Sequence, residues 1–168
     1  MIKLLRIDER LIHGQIAVSW LKMFNISHVV IVNDSAAADP IQKQILSMAL
    51  PQGVKLAITK VSDCEKILND QRLEQKSVFV IVKNTEDAKG VIKKIPSIPV
   101  VNVGNVGMIS TKNNSIKCTP YARLNKDDIG NLKEIEKFVP VEFQILPSES
   151  KQNINDILEK IGGYADVD

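Results

Sequence analysis

The loop at residues 8–15 holds the side chains best suited to catalysis in this chain. The sequence has two histidines, and one of them, His13, lies in the run RIDERLIHGQ at residues 6–15. Four arginines stand among the 22 basic residues, and two of these four, Arg6 and Arg10, belong to the same run. A guanidinium stays charged and offers a planar fork of donors that matches two phosphate oxygens at once, which a lysine cannot do. These residue types indicate a phosphate site with a histidine nucleophile.

The neighbours of His13 favour its nucleophilic form. Asp8 can accept a hydrogen bond from one ring nitrogen and leave the other in the attacking tautomer. Gly14 and Gln15 follow at the expected start of a helix, where free N–H groups and the positive end of the dipole attract anions and disfavour a protonated imidazole. The alternative is structural: His13 is a helix cap, and Asp8 with Arg10 is an ordinary surface ion pair.

Other candidate residues favour structural roles. His28 precedes an apolar strand without charged neighbours in the sequence, so we assign it no role. Trp20 falls on the apolar face of the first helix, where packing explains it. The run GNVG at 104–107 follows a strand, but it lacks the pattern of a nucleotide-binding loop and favours a tight turn or a close approach of the backbone.

Strands and helices alternate along the chain and must position the loop. Hydrophobic patterning predicts strands at 2–7, 28–32, 54–59, 77–82 and 98–103, and helices at about 16–24, 41–50, 62–70, 85–94, 126–138 and 153–161. Short or antiparallel strands are expected at an edge, near 115–119 and 141–146. The pattern predicts an α/β fold, a single domain over residues 1–168, with one open, mainly parallel sheet and helices on both faces. Binding groups gather at the carboxyl ends of such strands, where His13 and Lys83 fall.

Composition excludes several classes of protein. The formal charge of +2 is too balanced for a nucleic-acid-binding protein. Cys64 and Cys118 lie far apart and outside any metal-ligand spacing, so neither a metal site nor a disulfide framework is expected. The lack of a disulfide framework favours the reducing cytoplasm. The N-terminus has no signal-peptide core, and no apolar run is long enough for a bilayer span.

Four segments resemble the IIB subunits of the mannose/fructose/sorbose class of the bacterial phosphotransferase system (PTS). They are RIDERLIHGQIAVSW at 6–20, VNDSAAADPIQKQILSMALP at 32–51, FVIVKNTEDA at 79–88 and VVNVGNVG at 100–107. The resemblance covers nearly the whole chain, and the R-x-D-x-R-L-I-H-G-Q element is its most specific part.

The resemblance implies a phosphocarrier. In that family the histidine of this element takes a phosphoryl group on Nδ1 from a phosphohistidine of the IIA subunit and gives it to a sugar held by the membrane subunits IIC and IID. His13 matches that histidine, Asp8 and Arg10 match the loop residues around the phosphate, and no metal or organic cofactor is implied. A second copy of the chain is a further candidate partner. The expected phosphate-binding residues are Arg6, Arg10, Gly14, Gln15 and Lys83. The rival hypothesis is a regulatory module that binds a phosphorylated ligand without transfer.

Overall fold

A seven-stranded sheet forms the centre of the molecule. The structure is a computed structural model that describes residues 1–110 and 112–162. The strands are β1 (Ile2–Ile7), β2 (His28–Val32), β3 (Lys55–Thr59), β4 (Val78–Val82), β5 (Val101–Val103), β6 (Ile116–Thr119), β7 (Ala122–Leu124), β8 (Val141–Phe143) and β9 (Gln152–Asn153). The order in the sheet is β3-β2-β4-β1-β5-β8-β9, and every neighbouring pair is parallel except β8 and β9. The predicted mainly parallel open sheet is confirmed.

The late strands differ in detail from the prediction. The strand predicted near 141–146 is β8, which pairs parallel with β5 inside the sheet. The antiparallel edge is formed instead by the two residues of β9. The piece near 115–119 is β6, which pairs with β7 in a separate antiparallel hairpin. Short apolar runs reveal a strand but not its neighbour, because pairing depends on contacts distant in sequence.

Helices cover both faces of the sheet, as predicted. They are α1 (Asp34–Ala38), α2 (Pro40–Met48), α3 (Cys64–Leu68), α4 (Thr85–Lys94), α5 (Lys126–Glu136) and α6 (Ile154–Lys160), with short 3₁₀ turns at Val61–Asp63 and Gln71–Leu73. Asp39 caps α2 through the amides of Ile41 and Gln42, as the Asp-Pro pair indicates. The sequence analysis missed α1, a single turn capped by Asn33. Within the described ranges, no helix is long and apolar enough to cross a bilayer.

Each face of the sheet has its own hydrophobic core. Along β4, Val80 faces the core shared with α3 to α6, whereas Phe79 and Ile81 face the core that contains Trp20. This alternation follows from the period of two in a β-strand, and burial of each such side chain contributes about 1.5–3 kcal/mol. Trp20 is 2% exposed, which confirms its packing role.

The first helix contains a π-helical segment, Ile16–Leu21, within a helical stretch at 14–23. It begins directly after the His13 loop and packs on the sheet through Ile16 and Trp20. π-Helical turns inside helices are rare and occur often at functional sites.

Candidate functional site

The His13 loop leaves the carboxyl end of the central strand β1 and is anchored on both sides. Asp8 donates its amide N–H to the carbonyl of Val82 (3.0 Å), and Glu9 donates its own to the carbonyl of Asn105 (2.9 Å). Leu11 adopts a left-handed backbone conformation (φ 55°) yet is only 1% exposed. Its burial offsets the roughly 1–2 kcal/mol that this conformation costs a side chain with a Cβ atom. The loop is therefore held in a defined shape.

Asp8 is the centre of the site. Its side chain is fully buried, and its Oδ1 accepts hydrogen bonds from the backbone N–H and Nε of Arg10, both at 3.0 Å. Its Oδ2 lies 3.1 Å from Nη2 of Arg10. Burial alone would raise the pKa of Asp8, but the hydrogen bonds from His13 and Arg10 and the charge of Arg6 outweigh it, so the pKa lies below its ordinary value. Asp8 is thus a carboxylate at neutral pH.

His13 presents one ring nitrogen to this carboxylate. Its Nε2 lies 3.4 Å from Oδ2 of Asp8, and its side chain is 19% exposed. Because Asp8 is ionised, Nε2 carries the proton in this contact and Nδ1 keeps its lone pair. Within residues 1–110 and 112–162, Nδ1 has no hydrogen-bond partner. The arrangement leaves the lone pair of Nδ1 available to an incoming group.

Arg10 is partly exposed and has donors to spare. Its side chain is 31% exposed, and its Nε and Nη2 bind Asp8 in a bidentate pair. Nη2 also approaches Oε1 of Gln15 at 3.4 Å. Nη1 has no acceptor in the part of the chain that the structure describes. That nitrogen can bind an anion held near His13.

Arg6 occupies a different place from the one predicted. Its side chain is 1% exposed and lies over the ring of Trp20, with 4.6 Å between the guanidinium carbon and the ring centroid. Its amino groups donate to the side chain of Asn102, to the carbonyl of Gln144 (2.9 Å) and to that of Ile145 (3.1 Å), and Nη2 lies 3.5 Å from Asp8. The predicted direct contact of Arg6 with phosphate does not match this buried placement.

The cation behind Asp8 supports the carboxylate instead. Burial lowers the pKa of Arg6 to about 10, with the charge of Asp8 opposing this shift, so the guanidinium stays protonated at neutral pH. Gly104 leaves room for it, because a Cβ atom there would lie 2.2 Å from Nη2 of Arg6. The run GNVG at 104–107 therefore serves packing, as its reading as a close-approach turn predicts.

The other predicted phosphate ligands lie around the loop. Gly14 is exposed and Gln15 half-buried, in the first helical turn, where amide N–H groups have no intrahelical acceptor. Lys83 is exposed directly after β4, which neighbours β1. No hydrogen bond joins its side chain to the His13 loop within the described ranges, so its role stays a prediction.

Sequence reasoning missed three residues of the site. Asn102 binds Arg6 from β5 through its side chain, and Gln144 binds it through the backbone carbonyl directly after β8. Asn102 is the lone polar residue inside the apolar run IPVVNV. That polar interruption was the available signal. Glu9, inside the conspicuous motif, binds the segment 108–110 through its carboxylate.

The second histidine lies at the opposite end of the strands from the His13 loop. His28 is the first residue of β2, so it stands at the amino end of the strand, whereas the His13 loop follows the carboxyl end of β1. Its Nδ1 lies 3.0 Å from Oγ of Ser27. Partial burial and the charges of Lys55 and Lys76 lower its pKa. No carboxylate faces its ring within the described residues.

Comparison with known proteins gives one consistent family. The family model described as the PTS system sorbose subfamily IIB component matches residues 2–166. A probable phosphotransferase enzyme IIB component of Streptococcus pyogenes serotype M6 is 38% identical over 162 residues, which cover 94% of this chain and 99% of that protein. The crystal structure of manxB from Thermoanaerobacter tengcongensis has a TM-score of 0.85 and 31% identity, covering 95% of this chain and 96% of the other. The IIBSor domain of the sorbose permease from Klebsiella pneumoniae has a TM-score of 0.86 and 25% identity, covering 95% and 97%. The chain therefore belongs to the sorbose-subfamily IIB components of the sugar phosphotransferase system.

Proposed function

We propose that this chain is a phosphocarrier that accepts a phosphoryl group on Nδ1 of His13 from a phosphorylated IIA subunit. It then gives the group to a sugar entering through the membrane subunits IIC and IID, on the cytoplasmic side of the membrane. The observation that carries the proposal is the contact of 3.4 Å between Nε2 of His13 and Asp8, which leaves Nδ1 partly exposed and without a hydrogen-bond partner among the described residues.

The first step is an in-line displacement at phosphorus. The Nδ1 lone pair forms the new P–N bond while the P–N bond to the donor imidazole breaks, and its electron pair returns to the donor ring. The His13 ring then carries both the phosphoryl group and the Nε2 proton, and so bears a positive charge. Asp8 stabilises that charge, as an acidic partner does for a catalytic imidazolium.

Charge on the transferring group requires donors that are already in place. Within the described residues, Nη1 of Arg10 is a donor of the His13 loop without an acceptor, and its Nε and Nη2 are fixed by Asp8. A guanidinium held in this way needs little reorganisation when charge develops on the phosphoryl oxygens. The amides of Gly14 and Gln15 and the ammonium of Lys83 complete the proposed set of phosphate ligands.

In the second step His13 is the leaving group, whereas in the first step it is the nucleophile. A sugar hydroxyl oxygen forms a P–O bond, the bond from phosphorus to Nδ1 breaks, and the hydroxyl proton passes to solvent water. The electron pair stays on Nδ1, so His13 returns to the neutral tautomer that Asp8 stabilises. The overall reaction is a phosphoryl transfer, to which the protein contributes by positioning the reacting groups and stabilising their charge.

Phosphoenolpyruvate, the general phosphotransferase proteins and a IIA subunit test the proposal directly. The wild-type chain should gain one covalent phosphate by intact mass, and His13→Ala should gain none while keeping its circular dichroism spectrum. His28→Ala is the matched control, since its ring lies at the opposite edge of the sheet, and it should be labelled normally. Stoichiometric label in His13→Ala would overturn the assignment, and reversible binding without covalent phosphate would favour the regulatory rival.

A further inference from the structure

The carboxylate of Glu9 occupies a nest of backbone amides. Its Oε2 accepts hydrogen bonds from the N–H groups of Met108 and Ile109, both at 3.0 Å. Its Oε1 accepts from the N–H of Ser110 at 3.3 Å and from the Ser110 hydroxyl. Three consecutive N–H groups around one anion form a strong charge-assisted site, which in other proteins holds phosphate. Here the anion is the side chain that follows Asp8 in the His13 loop.

The segment 104–110, which Glu9 binds, is fixed at its base as well. Gly104 donates its N–H to the carbonyl of Ile7 (2.9 Å), and Val106 exchanges backbone hydrogen bonds with the β6–β7 hairpin through Tyr121 (3.0 Å) and Arg123 (2.8 Å). Gly107 has φ +67°, and a Cβ atom there would lie 2.2 Å from the carbonyl oxygen of Arg123. The segment is therefore ordered before any partner binds.

This ordered turn carries two exposed apolar side chains beside the His13 loop. Ile109 is 67% exposed and Met108 is 37% exposed. Isolated exposed apolar residues are common and need no explanation. This pair differs because a carboxylate one residue from Asp8 holds its backbone. Side chains on a preordered backbone lose less entropy on binding than those on a mobile loop.

A protein that delivers a phosphoryl group to Nδ1 of His13 must approach the loop that contains both His13 and Glu9. The amide donors partly offset the negative charge of Glu9, which reduces its repulsion of an incoming phosphoryl group. The exposed side chain of Ile109 belongs to the segment that Glu9 binds, so it lies beside the His13 loop. Such a residue suits the role of an apolar anchor that a partner buries.

We propose that Glu9 is a positioning residue that fixes Met108 and Ile109 as a docking point for the phosphoryl-donor protein. This inference rests on the proposed phosphocarrier function. It assigns to the donor an apolar surface that meets Ile109 while its phosphohistidine reaches His13.

Transfer kinetics with two phosphoryl donors test the inference. For Ile109→Ser, the KM for the phosphorylated donor protein should rise roughly five- to tenfold while kcat stays near the wild-type value. With phosphoramidate, a small donor that loses ammonia as its P–N bond breaks, the same variant should label at the wild-type rate. Glu9→Gln should likewise raise the KM for the donor protein and leave the rate with phosphoramidate unchanged. Ile109→Leu, which keeps an apolar side chain, should have the wild-type KM.

Phe138→Ser is the matched control. Phe138 is an exposed apolar residue (54%) after α5, two positions before Pro140, whose carbonyl binds the first residue of β5 at the opposite edge of the sheet. The Phe138→Ser variant should have the wild-type KM for the phosphorylated donor protein. A wild-type KM in Ile109→Ser, or a defect only in transfer onward to the sugar, would overturn the docking point. Because Ile109 is largely exposed, this variant keeps the test valid even if Glu9→Gln unfolds. Failure of the wild-type chain to accept phosphate from any donor would instead reject the phosphocarrier function.

Discussion

Asp8→Asn is the substitution that examines the orientation of His13 most directly. An asparagine has one carbonyl oxygen, whereas Asp8 serves two groups of donors. Oδ1 accepts two hydrogen bonds from Arg10 at 3.0 Å, and Oδ2 faces Nη2 of Arg10 (3.1 Å), Nε2 of His13 (3.4 Å) and Nη2 of Arg6 (3.5 Å). The oxygen should keep the shorter pair on Arg10, so the amide NH₂ turns towards His13. A donor at that place favours the tautomer with the proton on Nδ1, which cannot attack phosphorus.

The expected loss is large. The corresponding change in a serine-protease triad lowers kcat by about 10⁴ because the histidine adopts the wrong tautomer. We expect a slowing of roughly 10² to 10⁴, or about 3 to 5 kcal/mol in the activation free energy. The variant should also be less stable by about 3 kcal/mol, because removal of one partner leaves the buried Arg6 guanidinium uncompensated.

Rapid-quench transfer from the phosphorylated donor protein measures the rate, and urea unfolding measures the stability. ¹⁵N NMR of the histidine rings reports the tautomer independently of the rate. Asp39→Asn is the control, since Asp39 is an exposed helix cap at which asparagine serves equally well. Transfer at the wild-type rate in a folded Asp8→Asn protein would refute the orienting role of Asp8.

Further measurements bear on the same site. Arg10→Lys keeps the charge but loses the fork that binds Asp8 through Nε and Nη2 while Nη1 stays available to the phosphoryl group, so transfer should slow by roughly a hundredfold. The surface change Lys22→Arg should have little effect, and a wild-type rate for Arg10→Lys in stopped-flow experiments would show that the fork is not needed. The label on His13 should be lost in acid and survive in alkali, which phosphate analysis after each treatment checks. The folded-state pKa of Asp8 lies below its unfolded value, so the stabilisation is lost when Asp8 is protonated, and the free energy of unfolding should fall as the pH drops from about 4. Below that pH the unfolding of Asp8→Asn should depend less steeply on pH. Phosphorylation should change the fluorescence of Trp20, the only tryptophan, because Arg6 links its ring to Asp8, and His13→Ala should show no change.

Much of the fold followed from local patterns. The runs at 28–32 and 77–82 are β-branched and apolar, which suits strands buried on both faces, and the structure has β2 and β4 at nearly those bounds. The Asp-Pro pair at 39–40 marked the start of α2, because capping depends on neighbours in sequence. The strand predicted at 98–103 is shorter in the structure and begins only at Val101, after two prolines that cannot donate to a ladder.

The sequence alone was enough to predict the candidate reactive group. His13, Asp8 and Arg10 lie within six residues of one loop, so their proximity needed no tertiary information. The contact of His13 with Asp8 at 3.4 Å agrees with the predicted orienting pair. Their catalytic roles remain proposals that the variants above test.

Only the tertiary structure decided what surrounds that loop. The alternation along β1 predicts the face of the sheet on which Arg6 lies. It does not predict the contacts of Arg6 with Asn102 and Gln144, which come 96 and 138 residues later in the chain. Those contacts arise because β5 and β8 follow β1 in the sheet order, and strand order is set by packing between distant segments. The same holds for Glu9, whose partners lie about a hundred residues away. A carboxylate in a sequence motif shows that a negative charge is present. The donors that bind this carboxylate are brought to it only by folding of the chain.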